Sequence, residues 1–235
     1  MASEKTTDKA ESSGIMPGML ELIQTHRKKI FIGLIVIIMA FVIAIVIITV
    51  RDNLHESGLV RVDELERRYA DLYSYDEYGL SDADRIFRMA ELNILLNEVV
   101  DFQRNAFGFA SARAYVLAGD IHWETGDYEQ AENAWLGAAR AARNSYLEPV
   151  SYFNAAIAAE EQGNIDNAIA HYERVLAAGD NFPAAARAQF AIGRLEESRG
   201  NTVAALLAYE NLLFRWFNDP VWASLAQSRI VALSN

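Results

Sequence analysis

The sequence predicts an all-α protein: a single transmembrane helix followed by an α–α superhelix of helical hairpins with a C-terminal capping helix. Three observations predict this. Ile30 to Val50 is an uncharged apolar run in which only Gly33 and Thr49 interrupt the greasy residues. Gly126, Gly163 and Gly200 are spaced 37 residues apart, and other positions recur in the same register. The segments around them carry apolar residues at three- and four-residue spacing, the helical period.

Hydrophobic residues make up 52% of the 235, yet mean hydropathy is only +0.02, so the apolar content is concentrated. A helix over residues 30–50 spans roughly 30 Å, the thickness of a bilayer's hydrocarbon core. A cleaved secretory signal has a shorter apolar stretch and small residues at its cleavage site; this run instead ends in Ile47-Ile48-Thr49-Val50-Arg51. A lipoprotein signal needs a cysteine, and the chain has none. A buried core helix is seldom this long or apolar all round. The run therefore reads as an uncleaved anchor.

Flanking charge sets its direction. His26-Arg27-Lys28-Lys29 precedes the span, whereas Arg51 is followed by Asp52 and Glu56. The positive-inside rule places the N-terminus in the cytoplasm and the remainder in a periplasm or its equivalent. Residues 51–235 hold 16 arginines, no lysine and 28 acidic residues. A domain that acidic is repelled by nucleic acid and by anionic head groups.

Residues 1–29 read as a cytoplasmic tail, 30–50 as the span, 51–60 as a linker and 61–108 as an N-terminal helix pair. Val60 to Tyr78 shows helical spacing through Leu65, Tyr69, Leu72 and Tyr73, with Gly79 as its stop. Ser81 and Asp84 have the form of a capping box, opening a helix to about Asn105 with an expected apolar stripe of Ile86, Met89, Ala90, Leu96, Val99 and Val100. Phe107-Gly108-Phe109 breaks it.

Residues 109–235 hold three repeats, about 112–148, 149–185 and 186–219, and a capping helix over 220–233. The recurring sets are Gly119, Ala156, Gly193; Ala131, Ala168, Ala205; Trp135, Tyr172, Tyr209; and Ala138, Val175, Leu212. Small residues let two antiparallel helices approach, and a glycine supplies the left-handed residue that ends the first helix. Asp127, Asn164 and Asn201 stand where they cap the second helix. The aromatic is large enough to reach the next repeat. Pro149, Pro183 and Pro220 fall where the next helix starts, a position tolerant of a missing N–H.

Small residue, glycine turn, alanine, aromatic and proline in this order resemble the tetratricopeptide repeat, over about Ala112 to Leu233. The period is 37 rather than the usual 34 residues, which implies an extra helical turn or longer connections. The early aromatic of each unit is present at Tyr115 and Tyr152 but is Gln189 in the third. The layout of tail, span and repeats also resembles the YfgM-type periplasmic proteins, ancillary subunits that accompany the secretion translocon and periplasmic chaperones. Phe182-Pro183 and the Ala226-x-x-Arg229-Ile230 helix are similar to periplasmic repeat proteins of the Tol–Pal system and outer-membrane assembly. The likeness implies a bacterial inner-membrane protein that assists secretion, folding or assembly of envelope proteins. The alternative it implies is a structural or regulatory role in envelope assembly or division.

In this family the first helix of each repeat lines a concave groove. That implies a protein-binding surface of Arg113, Val116, Asp120, Trp123 and Glu124 from the first unit. Phe153, Asn154, Ile157, Glu160 and Glu161 come from the second, and Arg187, Phe190, Arg194 and Glu197 from the third. Glu124, Glu160, Glu161, Glu196 and Glu197 fall in last turns and Arg113 and Arg187 in first turns, all against the helix dipole. The plain reading is a solvated face; the functional one is a groove favouring basic ligands. The family's carboxylate clamp is not expected, because Val116, Asp120 and Ala191 occupy three of its positions.

No catalytic set is legible. His26, His55, His122 and His171 lack metal-ligand spacing, and no phosphate loop or nucleophile elbow is present. The chain is read as a non-enzyme without cofactor. Its partners are other proteins or peptides and the bilayer through residues 30–50, with a homo-oligomer among the options and nucleic acid excluded.

Overall fold

The computed structural model describes residues 16–73 and 81–234; in the first helix, side chains are described for 26, 28, 29, 31–50 and 56–72. Nine α-helices and no strand form among the described residues: α1 Met16–Tyr73, α2 Asp82–Asn105, α3 Gly108–Glu124, α4 Tyr128–Ala141, α5 Leu147–Glu161, α6 Ile165–Leu176, α7 Ala185–Ser198, α8 Thr202–Arg215 and α9 Pro220–Leu233. Two units divide between Leu54 and His55. In the first, Phe31–Val50 has a mean hydropathy of 3.5 and none of it is buried by protein, so it is long and apolar enough to cross a membrane. Residues 51–60, expected as a linker, are helical. The expected stop at Gly79 lies outside the described residues.

The second unit opens with a helix pair packed on the first repeat. Val62 and Leu65 of α1, Leu92, Leu95 and Val99 of α2, and Ala114, Leu117 and Ile121 of α3 share one core. Arg61 and Arg68 both pair with Glu98 across α1 and α2, at 3.0 and 2.7 Å. Ser81 caps α2 in a reciprocal box with Asp84. The expected stripe on α2 is corrected in part: Val99 is buried and Leu96 packs against the core, but Ile86, Met89 and Ala90 face outward and Leu92 and Leu95, outside the stripe, are buried. The buried face is centred on Leu92, Leu95 and Val99, because it meets α1 and α3 together.

From α3 onward each helix packs on the next in sequence. Gly126, Gly163 and Gly200 have φ of +77°, +71° and +77°, and so mark equivalent bends. At each bend the glycine N–H bonds three residues back and the following N–H five residues back, closing the first helix in a Schellman motif. Asp127 and Asn164 then cap α4 and α6 at 3.3 Å. Asn201 does not cap α8; its Nδ2 donates instead to Glu196 at 3.0 Å.

Turns keep the 37-residue register, but helix starts drift around it. α6 is two residues shorter than α4 and α8, and the connection after it, 177–184, is the longest of the three. Pro149 lies inside the first turn of α5 and Pro183 two residues before α7, while Pro220 is the first residue of α9, whose cap Asp219 accepts from Val221 and Trp222 N–H. α3 starts at Gly108, so Arg113 sits in its second turn rather than its first.

Each repeat's aromatic serves two neighbours. A Cβ at Gly119 or Gly193 would lie 2.5 Å from the Trp135 or Tyr209 ring, so the missing side chain is what admits the ring. The same rings reach the next unit: Trp135 clusters with Ala155 and Ala158, Tyr172 with Ala188, Ala191 and Leu195, and Tyr209 with Ala226 of α9.

Ser111, Glu132, Ser151, Gln189 and Glu196 are buried polar positions among the described residues. Ser151 is fully buried, and its hydroxyl has no hydrogen-bond partner among the described residues. Alanine occupies the same register at Ala114 and Ala188, also fully buried. Ser151→Ala is therefore expected to stabilise the protein by about 1–2 kcal/mol, from the relieved orphan hydroxyl and higher helix propensity. Chemical denaturation measures it; a loss of stability would show that the hydroxyl is satisfied.

Candidate peptide-binding groove

Groove residues arise from the first helices α3, α5 and α7, each oriented by the aromatic on the helix that follows. In the second repeat the Tyr172 hydroxyl donates to Glu160 at 2.7 Å, and Arg194 of the third repeat pairs with that carboxylate. In the third, Tyr209 donates to Glu197 at 3.0 Å, and Arg229 of α9 pairs with it, Nε at 3.1 Å. A carboxylate is thus held between its own repeat's tyrosine and the next unit's arginine, twice, 37 residues apart. Burial, reinforced by the Glu160 hydrogen bond, pushes the Tyr172 hydroxyl above its ordinary range. Burial raises Tyr209 as well.

The first repeat departs from this pattern. Trp123 stands where the others have glutamate, and Ile157 stands in the register of Arg194. Trp135 Nε1 donates to Asp120 at 3.0 Å, and no arginine pairs with Asp120 among the described residues. Burial, aided by the charges of Glu124 and Glu66, raises its pKa to about 6 against the lowering effect of Trp135. Trp123 packs on Tyr128 and Trp135, with ring centroids 5.0 and 5.9 Å apart.

Two adjoining cavities open along α5, α7 and α9. One, of about 310 Å³, has Ile157, Phe190, Ala191 and Trp222 as apolar lining, with Glu160, Glu161 and Arg187 around it. The other, of about 420 Å³, is lined by Phe190, Arg194, Glu197, Ser198, Tyr209 and Arg229. They share Phe190 and Arg194. Seven of the fourteen expected groove residues meet here: Ile157, Glu160, Glu161, Arg187, Phe190, Arg194 and Glu197.

The other seven are placed differently. Arg113 turns to α1, pairing with Glu66 (Nε at 2.9 Å) and with Asp63 at 2.6 Å. Phe153 is buried beneath the Arg187 guanidinium, 4.9 Å from its ring. Val116 and Asn154 are half-buried, Glu124 is exposed, and Asp120 and Trp123 pack as described. Of the acids set against the helix dipole, Glu160 and Glu197 are neutralised in the ladder, and Glu196 binds Arg199 and Asn201. Glu124 and Glu161 are exposed and make no ion pair among the described residues.

Sequence reasoning missed Tyr172, Tyr209 and Arg229 as part of this surface. A signal existed for the tyrosines: each has a glutamate twelve residues earlier in two repeats. α9 lies outside the repeat phase, so nothing in the register points to Arg229. His171 binds Glu132 of α4 at 2.8 Å.

With this geometry in place, comparison with known proteins assigns the repeats. Residues 112–144 and 153–220 match the tetratricopeptide repeat, so the chain contains tetratricopeptide repeats. A "TPR repeat-containing protein" of Treponema pallidum (strain Nichols) is 42% identical over 127 residues, 54% of this chain and 52% of that protein. The chain therefore matches about half the length of that relative. Tetratricopeptide repeats imply a protein–protein interaction scaffold, and that coarse function follows here.

Proposed function

We propose that this protein is a membrane-anchored scaffold whose repeats grip polypeptides outside the cytoplasm, assisting secretion, folding or assembly of envelope proteins. It is a binding protein, not an enzyme. The observation that carries the reading is the pair of joined cavities on the first-helix face of a tetratricopeptide stack, with apolar lining from Ile157, Phe190 and Trp222. Apolar anchors with a charged rim suit an apolar side chain of a bound segment. The uncharged run Phe31–Val50 supplies the anchor, and the preceding basic cluster supports a cytoplasmic N-terminus. The likeness of this layout to the YfgM-type proteins supports an inner-membrane, periplasm-facing role.

Because Glu160 and Glu197 are already neutralised by arginine, the groove carries less negative charge than its sequence suggests. Exposed Glu161 and Arg187, both beside the apolar lining, suit a segment of mixed charge. Photoreactive substitution at Glu161 and at Arg187 in the full chain, in native membranes, is expected to capture extracytoplasmic polypeptides. The same substitution at Glu129, exposed on α4 outside the cavities, is expected to capture none. Equal capture at all three positions, or a C-terminal topology reporter active in the cytoplasm, would overturn the proposal.

A further inference from the structure

The outer face of the third repeat is unlike that of the other two. Four positions on or just after the second helix point outward in every repeat. They are Glu129, Asn133, Arg140 and Arg143 in the first, and Asp166, Ala170, Ala177 and Asp180 in the second, all exposed. In the third they are Val203, Leu207, Phe214 and Phe217, exposed by 79%, 57%, 85% and 70%. The fold does not need large apolar residues there, since two repeats do without them in the same register.

The patch runs on into α9, where Val221 and Leu225 are also exposed. These six side chains expose roughly 700 Å², above the ~300–600 Å² of a monomer's largest apolar patch. The area approaches the ~800 Å² that each partner contributes to a standard interface. Between Thr202 and Leu233 the chain has four charges that cancel: Glu210, Arg215, Asp219 and Arg229. Three are engaged internally, Arg215 with Asp180, Asp219 as the cap of α9, and Arg229 with Glu197.

We propose that this α8–α9 face pairs with the same face of a second copy of the chain. Identical copies bring the same net charge to the face they share, so a sparsely charged, apolar face is one on which two copies of this acidic domain meet with little repulsion. The bilayer is the other apolar surface available, but a domain with 16 arginines against 28 acidic residues is repelled by anionic head groups. Anchoring by residues 30–50 would hold copies in one membrane and raise their effective concentration. None of the six residues lines either groove cavity, so a dimer would carry two grooves.

The chain has no cysteine, which makes the test direct. In the full chain in membranes, Phe214→Cys is expected to form disulfide-linked dimers on mild oxidation, whereas Arg140→Cys and Ala177→Cys, its register equivalents, remain monomeric. In detergent, Leu207→Glu with Phe214→Glu is expected to weaken the dimer at least tenfold by sedimentation, with helical circular dichroism unchanged because both sites are exposed. Three results would overturn the proposal. One is equal crosslinking at all three positions. Another is a dimer that survives the double substitution, which places the contact elsewhere, such as the span. The third is a label at Phe214→Cys that becomes buried only when lipid is present, which assigns the face to the bilayer.

Discussion

Tyr209→Ala is expected to destabilise the third repeat by about 3–5 kcal/mol, the range for emptying a buried aromatic site. Tyr209 is fully buried, lies against Gly193 where a Cβ would sit 2.5 Å from its ring, and is 5.4 Å from Phe190. It also joins α8 to α9 through Ala226, so its loss opens a cavity between two elements. Tyr209→Phe keeps the ring and removes only the hydroxyl's bond to Glu197. That variant is expected to cost about 1–2 kcal/mol, less than a full charged hydrogen bond because Glu197 keeps Arg229. Stability in a stacked array is a sum of local terms, so the loss belongs to residues 185–233 first. Hydrogen exchange should show α7 to α9 opening earlier while α3 and α4 stay protected. A cost below about 1 kcal/mol for the alanine variant would mean that the ring does not bridge these helices.

That bridging was legible in the sequence to the extent that it repeats. A turn glycine recurs because only a left-handed residue closes the first helix, and small residues at 119, 156 and 193 recur because a ring occupies their space. These needs are local and set a strict register. Helix starts were less legible, because they depend on connections whose length differs between units; α3 begins before its expected start and Arg113 shifts by a turn. The α2 stripe was misjudged in part, for another reason. Spacing alone fixes a period, but which face is covered depends on where α1 and α3 lie.

The site was half legible. Register placed Glu160 and Glu197 on the cavity face, but not that Arg194 and Arg229 arrive from the next unit to neutralise them. Such pairs join residues 32 to 34 apart on elements whose relative rotation the sequence does not state. The acids set against the helix dipole thus have a structural partner in three cases, Glu160, Glu196 and Glu197, which removes the main argument for a basic ligand. Arg187 and Glu161 remain the exposed charges beside the apolar lining, and they define what a ligand would meet.

Asp120→Asn is expected to stabilise the protein near neutral pH, which is the reverse of what removing a partnered carboxylate does. Asp120 has its pKa raised to about 6, first by burial and then by Glu124 and Glu66. In the unfolded chain it titrates near the ordinary value of 3.8. Between those values the folded state binds more protons than the unfolded state, so stability falls as pH rises through about 4 to 6. Above that window the folded protein holds a buried, like-charge-crowded carboxylate at a cost on the order of 2–3 kcal/mol. Asparagine removes the charge and still offers an oxygen to Trp135 Nε1, whose bond to Asp120 is 3.0 Å. The variant should therefore be more stable than the parent by roughly that amount near pH 7.5, and the difference should vanish toward pH 4. Unfolding of both proteins across this range measures it directly. A difference independent of pH would show that Asp120 is solvated or paired. Equal loss at every pH would show that both carboxylate oxygens are needed where one suffices here.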